Sequence, residues 1–512
     1  MILEPKYTIF FYIFMTQKIL FWLGVEFTHF CLSYAMQKKH TADYFSIVDI
    51  TDKSRKFFET QNLVKFNKTW YFFDHVTKQD QLPDYKYLKE FEKKYNIDLW
   101  KLAINERIFY RFYDFHKFST EEIYSILEQE CKLFEKIFDE VKPDFFVTKY
   151  ASRHHNHLFT EMCNSLGIPV LMLSRTWLGN KVLLSKNSHI FDDLSSLKSN
   201  LSSKRNFQEL QEYLESVSYS KYLSNYNKPS KFITQFKALT EFLLSDSKQN
   251  QKQYYYYGRT KFKVLKDTVL TLIRSRYREN YLNNNAVKQP DFTMPFVYFP
   301  LHVDMERPLL IDAPFYTNQI EIIRHIAKSL PVGIKLFVKE SPAGNSRGWR
   351  KISDYEEIMS IPNVTLIHHS VPSKDLFKKC LLVFTVAGTS GFEAAIYEKP
   401  SIVFSKVGYA SLPSVQKVSA LEDLPKLIRE SLNIKVKSDD VNQFLTFMEK
   451  NTIDFDWQRF LKIFYDEFYY GGNLHDVEIS PNDVQKFLNL HNDDLKILAD
   501  AHLKKIEQYV EN

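Results

Sequence analysis

The stretch Leu381–Val407, LLVFTVAGTSGFEAAIYEKPSIVFSKV, holds the densest chemical signal in the sequence. An apolar strand runs into Ala387-Gly388-Thr389-Ser390-Gly391, and a helix then begins with Glu393 in its first turn. Glycines at such a bend let the backbone approach a ligand closely. Hydroxyls beside free N–H groups at a helix start suit phosphate oxygens. An ordinary turn capped by Thr389 or Ser390 would read the same way, but Tyr397-Glu398-Lys399-Pro400 and another buried strand follow and close a compact βαβ unit. The bend lacks the P-loop lysine and no GxxxxGK[ST] occurs in the chain, which disfavours ATP hydrolysis.

Other strand ends offer further groups. Lys339 and Glu340 close the run Ile334–Lys339 at the expected cleft edge, where an ammonium neutralises phosphate and a carboxylate holds ribose or sugar hydroxyls. His302 follows the run Phe296–Pro300 into the region between domains. In the first half, Glu26 and His29 follow the first strand, and Arg153, His154, His155 and His157 follow Asp144–Tyr150. Both are places for an acceptor site or a general base. His154 and His157 share a helix face, yet no carboxylate or cysteine stands nearby at ligand spacing, so no metal is expected. The single D-x-D, Asp454-Phe455-Asp456, lies in a helical tail and argues against metal-dependent transfer.

The elements that must position these groups alternate strand and helix. Strands are expected at Lys18–Gly24, Tyr44–Ile50, Trp70–Val76, Asp144–Tyr150 and Pro169–Ser174, and a capping box at Ser119–Glu122 opens a long amphipathic helix. Such alternation with short connections implies parallel sheets covered on both faces. A second α/β unit begins near Pro295, with strands at Phe296–Pro300, Ile334–Lys339, Val364–Ile367, Leu381–Thr385 and Ser401–Phe404. The fold class is therefore α/β: two Rossmann-like domains facing a cleft, with a helical insert and a helical C-terminal tail. The boundaries read as 1–14, an extension or over-long start; 15–185, an N-terminal Rossmann-like domain; 186–294, a helical basic insert; 295–432, a C-terminal Rossmann-like domain; and 433–512, a helical tail.

Composition narrows the class. Apolar residues reach 44%, ample for large cores, while the net charge of +6 is too mild to argue for nucleic acid. Four separated cysteines read as reduced packing residues of a cytoplasmic protein. The apolar start is broken by Thr16, Gln17 and Lys18, too short to span a bilayer. Between Lys252 and Lys288 nine basic residues face two acidic ones, a stretch suited to peripheral contact with an anionic membrane at the inner face.

At Phe296–Tyr409 the sequence resembles the capsule polysaccharide biosynthesis family, whose members are similar to two-domain GT-B-like glycosyltransferases, including capsular β-Kdo transferases. The matching residues are FPLHV at 299–303 with Glu306 after it, APFYTNQ at 313–319, KSLPVGIKLFVKE at 328–340, IPNV at 361–364, AGTSGFEA at 387–394 and KPSIVF at 399–404. The resemblance implies nucleotide-sugar binding near Lys339, Glu340, Gly388, Thr389, Ser390, Gly391 and Glu393. Ser341 stands where the family usually has histidine, keeping a hydroxyl but no titratable group, and Met305 stands where proline is common. The expected function is metal-independent sugar transfer from a CMP- or UDP-activated donor to a glycan or lipid-linked acceptor, without a cofactor. Glu26, His29 and His302 are the expected catalytic groups. The alternatives are a non-catalytic polysaccharide export or scaffold protein, or a sugar-nucleotide 2-epimerase-like enzyme.

Overall fold

The computed structural model describes residues 16–79, 81–198, 205–217, 230–245 and 252–511; the extension read at 1–14 lies outside them. β1 (Lys18–Gly24) buries five consecutive side chains, Ile19 to Leu23, facing both ways across the sheet. Only a sheet covered on both sides accommodates such a run. β2 (Asp43–Asp49), β3 (Lys68–Tyr71), β4 (Phe145–Lys149) and β5 (Val170–Arg175) join it in parallel in the order β3-β2-β1-β4-β5. Beyond β5 the edge turns antiparallel through β6 (Lys181–Ser185) and the two-residue β13 (Ile453–Asp454).

The second sheet is wholly parallel. β7 (Phe296–Pro300), β8 (Lys335–Lys339), β9 (Val364–Ile367), β10 (Val383–Thr385), β11 (Ser401–Val403) and β12 (Val415–Lys417) lie in the order β9-β8-β7-β10-β11-β12. In each sheet the first strand sits beside the fourth, so strand order reverses between β1 and β4 and again between β7 and β10. Crevices that take ligands open at the carboxyl ends of strands at such reversals.

The expected capping box is present: Ser119 Oγ accepts from the Glu122 N–H at 3.2 Å, and the Glu122 carboxylate accepts from the Ser119 N–H at 2.9 Å. The run Trp70–Val76, expected as one strand, stops at Tyr71 and turns helical over Phe72–His75. Phe72 thereby stacks on His155, with ring centroids 4.5 Å apart. Residues 186–294 are helical where described: Phe207–Val217 and Phe232–Leu244 cover the segments that read as helical at 207–214 and 232–244, and a long helix, Lys261–Asn285, carries much of the basic stretch.

The tail is not a separate body. Residues 453–511 complete the first domain: β13 extends its sheet, Trp457 Nε1 donates to Thr28 Oγ1 at 2.9 Å, and Phe460, Phe464, Leu495 and Leu498 join its core. A further cluster bridges the domains, with Trp177 against Tyr409 and Phe392 at centroid distances of 5.1 and 5.5 Å.

Candidate functional site

Between the carboxyl edges of the two sheets lies a cleft of about 890 Å³. The first domain supplies Tyr150 and Ser152 beyond β4, Arg175 to Trp177 at the end of β5, and Asn187 to Ile190. The second supplies Met305 to Pro308 beyond β7, Ala387 to Thr389 beyond β10, and Lys406 to Tyr409 beyond β11. Contacts on two sides fix its width. On one side Arg107 Nε donates to the Met305 carbonyl at 2.9 Å, and Arg307 donates to the Ala151 carbonyl. On the other, the Gly408 backbone lies so close to His189 that a Cβ there would fall 2.1 Å from the His189 carbonyl oxygen.

The AGTSG bend opens onto this cleft. Ala387 to Ser390 are partly exposed, and Gly388 and Thr389 line it. The bend is held from behind: Thr385 Oγ1 accepts from the Gly388 N–H at 3.1 Å, and the Tyr409 hydroxyl donates to the Gly388 carbonyl. Glycine is required at 388, because a Cβ would meet His302 Cε1 at 2.6 Å and Thr385 Oγ1 at 2.8 Å. No side chain caps the helix Ser390–Ile396; the Thr389 hydroxyl donates instead to Glu393 Oε1 at 2.8 Å. Burial lifts the Glu393 carboxyl above its usual range, against the pull of Thr389 and Lys339.

The other donor-side residues are placed differently from the expectation. Lys339 is buried, not at the cleft edge, and its ammonium donates to Ser373 Oγ at 2.7 Å. Burial lowers its pKa to about 8, partly offset by Glu393. Glu340 is also buried: it accepts from the Ser341 N–H at 2.7 Å, the Tyr355 hydroxyl at 2.8 Å and Arg350 Nε at 3.1 Å. Arg350 also bonds Asp304 and the His302 carbonyl, so Glu340 anchors the loop after β7. The Ser341 hydroxyl caps the following turn, accepting from the Ala343 N–H at 3.3 Å.

The three expected catalytic groups also lie outside the cleft lining. His302 tucks behind the bend with Nε2 3.1 Å from Thr385 Oγ1, and burial together with Arg350 lowers its pKa to about 4. Glu26 pairs with Lys149 at 2.8 Å; burial would raise its pKa, but the ammonium outweighs it and holds the carboxyl below the usual range. His29 is core, 4% exposed, with a pKa lowered to about 3 by burial and by His502 and Lys149.

The histidine cluster finds the carboxylates that local spacing lacked. Buried His154 sits between Glu106, 3.0 Å from Nδ1, and Glu130, 3.1 Å from Nε2. Burial would discharge it, but the two carboxylates outweigh burial and raise its pKa to about 10. Tyr254 donates to Glu130 at 3.0 Å, and His155 bonds Asp49 at 2.9 Å. Glu130, His154 and His155 offer ligand atoms within 4.8 Å of one another, each already hydrogen-bonded within the network.

Sequence reasoning missed the charges that line the cleft. Five cations, Arg107, Arg175, Arg307, Arg347 and Lys406, surround it with three carboxyls, Glu161, Glu306 and Asp312. Asp312 is tied to Arg307 at 2.6 Å. Glu306, the N-cap of the short helix after β7, has its pKa raised by burial, with Arg347 and Arg107 opposing. Its place just after FPLHV was the one local signal.

Several solved structures resemble the chain weakly. UDP-GlcNAc 2-epimerase from Neisseria meningitidis, bound to UDP-GlcNAc, is 12% identical over 85% of this chain and 100% of its own, with a TM-score of 0.25. The enzyme from Methanocaldococcus jannaschii gives 12%, 85%, 100% and 0.23. Thermosulfurimonas dismutans KpsC, a beta Kdo 2,7 transferase, is 12% identical over 68% of this chain and 87% of its own, with a TM-score of 0.28. Strand order, not these likenesses, establishes the fold. No curated protein shows a significant match. Residues 246–413 match the model of the family described as capsule polysaccharide biosynthesis protein.

Proposed function

We propose that the protein is a metal-independent glycosyltransferase of capsular or surface polysaccharide biosynthesis, moving a sugar from a nucleotide-sugar to a glycan or lipid-linked acceptor. The observation that carries the reading is the cleft itself: a crevice at both strand-order reversals, lined by the Gly388–Thr389 bend and five cationic side chains. Its volume of about 890 Å³ suits a ligand of nucleotide-sugar size. Four free, buried cysteines fit a cytoplasmic site for this chemistry.

In this reading the donor phosphates lie against Gly388 and Thr389, with Arg347 and Lys406 offsetting the charge that develops as the sugar–phosphate bond breaks. The base is reassigned from Glu26, His29 and His302 to Glu306. Of the cleft carboxyls, Asp312 is held by Arg307, and Glu161 feels Lys101 and Asn164. Glu306 lies within the influence of one arginine from each domain, Arg107 and Arg347. Its carboxylate takes the acceptor proton as the hydroxyl attacks the anomeric carbon.

The test incubates purified protein with CMP- and UDP-sugars, with and without EDTA, and follows nucleotide release and product. Acceptor-dependent release that survives EDTA supports the proposal. Epimerised sugar released without acceptor favours the 2-epimerase alternative. If no nucleotide raises the thermal midpoint, the non-catalytic reading stands, which the internal engagement of Lys339 and Glu340 favours.

A further inference from the structure

We infer that the helices Phe232–Leu244 and Lys261–Asn285 form one docking surface for an anionic lipid bilayer. Each touches the body of the protein along one side and turns an apolar stripe to the other. In the first helix Ala238 is buried and Glu241 pairs with Lys53 at 2.6 Å, while Phe232, Phe236, Leu239 and Leu243 recur at helical spacing on the opposite side. In the second, Leu282 is buried and Arg278 donates to the carbonyls of Gly348 and Trp349, both at 3.0 Å. At about 100° per residue, Phe262, Val269 and Ile273 share a face roughly half a turn from Leu282, and Leu272 borders it. These eight apolar side chains are between 41% and 82% exposed, far more than scattered surface residues account for. Lys261 joins the helices, its ammonium donating to the carbonyls of Leu243 and Ser245.

Charge identifies the occupant. Lys237, Lys263, Lys266, Arg274 and Arg276 surround the stripes, and among the described residues none of them is in a salt bridge. The acidic residues on these helices are three: Glu241 faces inward to Lys53, Glu279 lies near His369, and Asp267 lies off the stripe. Apolar stripes edged with unpaired cations are the pattern of helices that lie in the interface of an anionic membrane. A water-facing helix would not need the stripe, and a neutral protein partner would not need the cations. The surface also backs onto the cleft: Arg278 holds the loop containing Gly348, and Arg347 of that loop lines the cleft. Bilayer contact would thus set the cleft beside the membrane surface.

The inference does not depend on turnover, so a flotation experiment with the full chain separates it from the proposed activity. Vesicles of equal parts phosphatidylcholine and phosphatidylglycerol should carry the protein upward, and pure phosphatidylcholine vesicles should not. The pair Phe236→Ser with Leu272→Ser, and separately the pair Arg274→Glu with Arg276→Glu, should each lower binding by about tenfold or more. Their thermal midpoints should stay unchanged, because all four side chains are exposed. Failure of the wild type to float with either vesicle overturns the inference. So does floating that is indifferent to charge reversal, or a dimer in sedimentation that the serine pair dissociates, which would make a second copy the occupant.

Discussion

The two sheets direct their carboxyl edges at the same cleft but arrange their charged groups differently. On the first domain, beside β2 and β4, Asp49, Glu106, Glu130, His154 and His155 bond one another and Tyr254, mostly away from solvent. On the second, beside β7 and β10, Gly388 and Thr389 remain open, and Glu306 and Arg347 face the same space. The difference separates two uses of buried charge. A carboxylate whose partners are all protein side chains fixes a conformation, whereas one left facing a cleft is available to a substrate. By that criterion His154 and His155, in the chemically richer sequence after β4, form scaffold, and the glycine-rich bend is the part left open to the cleft.

The largest expected effect tests the scaffold side. His154→Ala leaves Glu106 and Glu130 buried without their shared cation and should cost about 3–5 kcal/mol in urea unfolding. Nucleotide-sugar affinity of the folded fraction should be unaltered; if it vanishes while stability holds, the assignment of the two edges is reversed. Next, Glu306→Gln should lower kcat by about 100-fold or more with little change in donor affinity. The acidic limb of the wild-type pH–rate profile should lie above the usual carboxylate range and disappear in the variant. A full-strength Glu306→Gln returns the base to Glu26 or another group.

Smaller effects refine the comparison. Gly388→Ala forces its new methyl against His302 and Thr385, so it should lower the thermal midpoint and weaken donor binding of the folded fraction by about tenfold. Glu393→Ala, which removes the bend's link to Thr389, should weaken it too, and unchanged affinity would exclude Glu393 from any role in the site. The ion pair at His154 gives an alkaline signal. The pKa of His154 is raised in the fold to about 10, so its contribution to stability is complete below the ordinary imidazole value and erodes as pH rises toward about 10. The thermal midpoint should therefore drift down between about pH 7 and about pH 9, and the drift should be absent in His154→Ala.

What the sequence makes legible is local. Phe296–Pro300 and Val364–Ile367 are strands over the expected residues, because short apolar runs bounded by breakers leave few alternatives. The helix at Phe72–His75 was hidden because FFDHV continues the apolar run, and only stacking on His155 decides the matter. The bend at 387–391 was visible as a motif, whereas the surrounding cations come from separate loops with no common spacing. Glu106 and Glu130 are 48 and 24 residues from His154, so no local pattern could join them. The buried state of Lys339 was equally unreadable: a lysine ending a strand usually reaches water, and Ser373, 34 residues away, captures this one.

The return of residues 453–511 to the first sheet has a consequence for biogenesis. Translation must deliver the whole second sheet before β13 and the helix carrying Trp457 can dock, so the first lobe waits, partly uncovered, until the other has been made. Cutting the polypeptide at the boundary that its strand pattern suggests would therefore yield not two independent lobes but one orphaned half, its apolar flank bared to chaperones and aggregation.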